Sequence, residues 1–350
     1  MRQVINIVMA FTLVLALFGC QQPNRHRDAS AEQPELPEHS RLVETSAGQF
    51  HVRAMGRDNS GPAVVLLAGP NHNYHSDSAW FAALQPLLAE QYRVYSIDRL
   101  GNAFSSNSDD LSYRRFADDL AQVLQQLNEP QLAVVAFASA SISARWFYEL
   151  HGEQFDIDAM LYIDPDIPLA HSLSLYQGYP ADWYRDNLAT LLPHLAAGNW
   201  SERTKDKLDA EYQQIKQWAS EYGIAIDWNY LEQIMQQRML ISHQQARARE
   251  IAAYISDLES YATLPMITAI PVSVIDSDFE QKDIAAAADD DADAELLTAL
   301  QKWQQEGSAW SAEQASVSNG QYIPLSGSDH MVPLQQPQVI QQALEWLLSQ

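Results

Sequence analysis

His330 stands in Ser-Gly-Ser-Asp-His-Met-Val-Pro-Leu, straight after the apolar run Tyr322 to Leu325 and before a C-terminal helical pattern. An imidazole offered from a loop at the end of a strand can titrate near neutrality and can reach groups on several strand ends. Asp98, Asp164 and the segments after Ala136 and Ile275 fall at comparable places, each behind an apolar run. His72 and His75 form a second group, but no third ligand with suitable spacing accompanies them. They are expected to line a pocket mouth or a plain loop, and no metal is expected.

The elements that must position these groups follow from periodicity. Gln49–Arg53 alternates as a strand, whereas Ala63–Leu67, Arg93–Ile97, Leu132–Ala136, Ala159–Ile163 and Pro271–Ile275 are apolar runs of strand length. Phe116, Leu120, Val123, Leu124 and Leu127 repeat at helical spacing, and further helical stretches lie near Trp80–Leu88, Trp146–Leu150, Leu296–Trp303 and Val339–Leu347. Strands alternating with helices predict an α/β fold with a doubly wound, mostly parallel sheet, whose ligand site lies beyond the carboxyl ends of the strands. Between residues 165 and 268 the alternation stops, and the chain is mostly helical and rich in aromatic residues. Trp183, Trp200, Trp218 and Trp228 there are expected mainly to fill a small helical core. The stretch from Tyr176 to Tyr184 is the expected lid.

Four motifs in this order resemble the α/β-hydrolase superfamily over roughly residues 41–350. Leu66-Leu67-Ala68-Gly69-Pro70-Asn71 stands at its first oxyanion loop, and Asp98-Arg99-Leu100-Gly101 to Ser105 resembles its Asp-x-x-Gly-x-x-x-Ser loop. Ser273–Glu280 matches the acid-bearing strand and turn, and Asp329-His330 the histidine loop. The resemblance implies an inserted helical cap over 165–268, between core segments 41–164 and 269–350. It also implies a serine hydrolase acting on an ester or similar small acyl substrate, with no cofactor.

In that reading Ser139 attacks, His330 shuttles the proton, and Glu280 or Asp278 orients His330, with Asp276 close by. The N–H of Ala140 and a donor near Gly69 or Asn71 would hold the oxyanion. The elbow itself, Ala136-Phe137-Ala138-Ser139-Ala140-Ser141, admits two registers. Centring it on Ala138 places the small residues Ala136 and Ala140 on its flanks but leaves no nucleophile. Centring it on Ser139 supplies a hydroxyl, with Phe137 and Ile142 at positions that are usually small. Pro70 also lacks the N–H that such a loop normally contributes. The alternative to the enzyme is therefore a catalytically inactive relative that binds a ligand or partner. A dehalogenase is disfavoured, since no carboxylate stands between Ala136 and Ser141.

Arg2, the apolar stretch Val4–Phe18 and Leu17-Phe18-Gly19-Cys20 resemble a bacterial lipoprotein signal over residues 1–20. Cys20, the sole cysteine, would carry the lipid, and residues 21–40 would tether the protein to the cell envelope, facing the periplasm or exterior. A net charge of −24 argues against a nucleic-acid partner. The run Asp289-Asp290-Asp291-Ala292-Asp293 reads as solvated surface.

Overall fold

The runs rich in valine, leucine and isoleucine become strands of one sheet in a computed structural model, which describes residues 35–289 and 294–350. Cys20, the leader, most of the tether and Asp290–Asp293 lie outside the described residues. The strands are β1 (Ser40–Thr45), β2 (Gly48–Met55), β3 (Ala63–Leu67), β4 (Arg93–Ile97), β5 (Gln131–Phe137), β6 (Asp156–Ile163), β7 (Val272–Asp276) and β8 (Tyr322–Pro324). They lie in the order β1-β2-β4-β3-β5-β6-β7-β8. Pairings of β1 with β2 and of β2 with β4 are antiparallel, and all others are parallel. This is the α/β-hydrolase fold, as expected from the sequence. Every residue of β3 is buried, because helices cover both faces of the sheet.

Before the cap come α1 (Leu84–Leu88), α2 (Tyr113–Leu127) and α3 (Ala140–His151). Helix α2 begins where the Ser112 hydroxyl accepts from the Arg115 N–H, and ends at Asn128 in the left-handed conformation. Between β6 and β7 stand α4 (Ala170–Tyr176), α5 (Ala181–Ala196), α6 (Ser201–Tyr222), α7 (Trp228–Gln237) and α8 (Ile241–Tyr261). After β7 follow α9 (Glu280–Asp289), α10 (Ala294–Val317), α11 (Val332–Gln335) and α12 (Pro337–Leu348).

Buried ion pairs tie these inserted helices to the loops of the sheet. Arg99 after β4 meets Glu250 of α8 at 2.8 Å, and Arg238 after α7 meets Asp77 at 2.7 Å. Arg238 also bonds Glu211 of α6, which accepts from the Asn71 amide. Removing one member of such a pair strands the other without water, a cost of about 3–5 kcal/mol. The helical layer is thus fixed over the carboxyl ends of the strands. Among the described residues no helix is long and apolar enough to cross a membrane.

Candidate active site

Three strand ends build the site. After β5 the chain turns sharply at Ala138, whose φ of 50° is left-handed, and its N–H donates to the Ile163 carbonyl at 2.8 Å. An alanine in that conformation carries backbone strain of order 1 kcal/mol or more. Ser139 already has helical angles and opens α3. The bend is therefore centred on Ala138, whose side chain is a methyl group. Small neighbours decided the register: Ala136 and Ala140 are both fully buried beside the turn. Ser139, expected to attack, instead lies 3.5 Å from the Tyr254 phenol, and no hydrogen bond joins it to His330.

Gly69 explains how closely the first loop approaches. A Cβ there would sit 2.2 Å from the Phe137 carbonyl and 2.7 Å from the Ser139 nitrogen. With the bend on Ala138, the N–H following it belongs to Ser139, so Ala140 is displaced from the oxyanion position expected for it. Asn71 is unavailable as well. Its N–H donates to the His75 carbonyl at 3.0 Å, its amide bonds Glu211, and its side-chain oxygen accepts from Asn73 and His75. Pro70 offers no donor, and its carbonyl faces the His330 ring instead.

The acid that holds His330 is Asp164, in place of the expected Glu280 or Asp278. Asp164 follows β6 with φ of 45°, and its Oδ2 accepts from His330 Nδ1 at 2.8 Å. Ser277 fixes the same carboxylate through its N–H at 2.7 Å and its hydroxyl at 2.6 Å. Asp278 turns away and bonds Gln304. Asp276 accepts from Tyr322 at 2.7 Å and Ser308 at 3.1 Å. Glu280 begins α9 and lines the cavity, and burial pushes its carboxyl up to about 8, helped by the negative charges of Asp164 and Asp276. A carboxyl that is protonated at neutral pH cannot serve as the anion that orients an imidazole.

His330 lies between Phe137 and Phe279, with ring centroids 4.8 and 4.6 Å away. Its Nε2 faces the Pro70 carbonyl at 3.3 Å. Carboxylate and carbonyl both accept, so both ring nitrogens are placed as donors, the pattern of an imidazolium. Burial pushes the ring's pKa down, but Asp164 and the Pro70 carbonyl outweigh it, and the net direction is upward.

These groups open onto a cavity of about 420 Å³. Tyr176 and Tyr179 of the expected lid line it, but Trp183, Trp200, Trp218 and Trp228 do not. Trp303 of α10, outside the inserted helices, forms a wall that sequence reasoning missed. His75 is buried against Glu211, Arg238 and Arg247. Burial, aided by the two arginines, brings its pKa down to about 4. No three histidine, cysteine, aspartate or glutamate side chains cluster as a metal would need among the described residues.

The model of the alpha/beta hydrolase family matches residues 64–343. The chain belongs to that family. Among solved structures, this family member is similar to an alpha/beta hydrolase fold protein from Burkholderia ambifaria, with 17% identity and a TM-score of 0.57 over 89% of this chain and 98% of that one. Cfl2 from Burkholderia cenocepacia gives 18% identity and a TM-score of 0.59, covering 88% and 95%. The epoxide hydrolase CorEH gives 16% and 0.55, covering 89% and 98%. Likeness at this identity concerns the hydrolase fold alone. No curated protein matches the chain.

Proposed function

We propose that this protein is a non-covalent member of the hydrolase family, which binds a small organic ligand in its capped cavity and forms no acyl-enzyme. The observation that carries this reading is Ala138 in the left-handed turn. A methyl group has no lone pair, so the step that begins ester hydrolysis in a serine enzyme has no attacking atom. Two further features point the same way. Pro70 removes an oxyanion donor, worth about 3 kcal/mol of transition-state stabilisation in serine hydrolases. Ser139 is turned toward Tyr254 and Asp166 instead of His330.

The intact pairing of His330 with Asp164 at 2.8 Å favours a second reading, proton transfer to or from the bound molecule. Opening of an epoxide, the activity in the name of CorEH, would then require water deprotonated by His330, because no carboxylate stands at the bend. The upward shift of His330 and the carbonyl facing its Nε2 favour the protonated ring, which has no lone pair with which to take a proton from water, so binding is preferred over turnover. On sequence grounds, a lipid on Cys20 would hold this pocket in the bacterial cell envelope, facing the periplasm or exterior.

A fluorophosphonate probe tests the first reading. The purified protein should remain unlabelled after prolonged exposure. A covalent adduct mapped to Ser139 by peptide mass spectrometry would overturn it and restore the serine-hydrolase assignment.

A further inference from the structure

The cavity is walled by aromatic rings and carries carboxylates with too few cations to match. Trp303 stands between Tyr176 and Phe279, edge to face, with centroids 5.9 and 5.7 Å away. Tyr113 and Tyr254 meet edge to face at 6.1 Å on another wall. Asp164, Asp166, Glu250, Asp276 and Glu280 all line the space, and among the described residues His330 is the only basic one that lines it.

A charge account over these groups leaves a deficit. His330 balances Asp164, and Arg99 balances Glu250. Glu280 is held protonated by burial. Asp166 accepts from the Tyr254 phenol at 2.7 Å, and Asp276 from two hydroxyls and the Asp278 N–H, but neither forms an ion pair among the described residues. A half-buried carboxylate that accepts only from neutral groups is stabilised less than one facing a cation. Burial accordingly pushes the Asp166 carboxyl up, against the opposing pull of Tyr254, Ser139 and His330.

We infer that the natural ligand is an organic cation, an alkylated ammonium on an apolar body, with its charge between Asp166 and the faces of the surrounding aromatic rings. The inference rests on the reading of the cavity as a non-covalent ligand site. Ring faces attract cations through their quadrupole, by about 0.5–2 kcal/mol per ring, and best where water is excluded. The volume suits a small ligand. An anionic acyl compound would meet carboxylates on most sides.

The test compares (3-hydroxyphenyl)trimethylammonium with its uncharged isostere 3-tert-butylphenol, titrated into the purified protein at pH 7, where both phenols stay largely protonated. Calorimetry gives affinity, and loss of the tryptophan fluorescence response in Trp303→Phe would assign the signal to that wall. The cation should bind at least tenfold more tightly, and Asp166→Asn should bring the ratio of the two affinities close to one. Equal or tighter binding of the neutral isostere would overturn the inference while leaving the ligand-site reading standing. Binding of neither probe would also overturn it. Labelling of Ser139 by the fluorophosphonate would instead sink the underlying reading. The comparison of the two probes on the unaltered protein decides the matter even if Asp166→Asn does not fold.

Discussion

The hydroxyl of Ser139 lies 3.5 Å from the phenol of Tyr254, which itself donates to Asp166 at 2.7 Å. The first alcohol after the bend is thereby committed to a carboxylate on the chain after β6, while the histidine a hydrolase would pair it with is held by Asp164. One residue of register separates these outcomes. Because Ala138 takes the positive φ, Ser139 becomes the first residue of a helical conformation and its side chain leaves the axis of the turn.

That register predicts a gain of function. Ala138→Ser adds an oxygen at the strained position without changing the backbone demand, and both Ala138 and His330 line the cavity. The variant should acquire fluorophosphonate labelling at residue 138. Labelling should be slow, since Pro70 still withholds a donor whose loss costs on the order of 100-fold or more. A folded variant that stays unlabelled would contradict the placement of the bend.

The assignment of the acid can be read from the titration of His330 by NMR. Asp164 is the main cause of its raised pKa, so Asp164→Asn should lower that pKa distinctly. Asp278→Asn should leave it nearly unchanged, and Glu280→Gln should move it only slightly. In the unaltered protein the stability contributed by this ring is full below its unfolded pKa, near 6.5, and is lost as pH rises through the higher folded value. A larger change from Glu280→Gln than from Asp164→Asn would refute the assignment.

Glu280 should shape stability in the opposite manner to a salt-bridged acid. Its folded pKa, about 8, lies above the ordinary carboxyl value of 4.5, so the native state binds more protons than the unfolded chain between those limits. Stability then falls as pH rises from about 4.5 to 8. A tenfold difference in proton affinity between the two states corresponds to about 1.4 kcal/mol, before relaxation and water entry reduce it. Glu280→Gln should flatten this part of the profile and gain on the unaltered protein by on the order of 2 kcal/mol between about pH 5 and pH 8. Denaturant melts at the two pH values measure it. Parallel profiles would rule out a buried, proton-bearing Glu280.

Much of the architecture was legible because a sheet covered on both faces demands unbroken apolar runs, and Val64–Leu67 or Val134–Phe137 can satisfy little else. Those runs also fixed which residues end strands, Asp164 among them. What a linear pattern cannot supply is the lateral order of strands. Counting along the acid-bearing turn leads to Glu280, but β6 lies between β5 and β7, so Asp164 is the nearer carboxylate to a histidine loop that reaches back across β7. The bend was partly readable. Alanines at 136 and 140 favoured Ala138 on steric grounds, and tertiary packing against Gly69 agrees with them. Trp303 escaped notice because α10 supplies a wall from beyond the inserted helices, and nothing in its own periodicity marks the ring as facing a cavity.

The left-handed alanine at 138 has a consequence for descent. In the genetic code a single first-position exchange turns any alanine codon into a serine codon, so spontaneous mutation will keep presenting an alcohol at this bend. The alcohol missing from the bend is thus one nucleotide away from the present sequence.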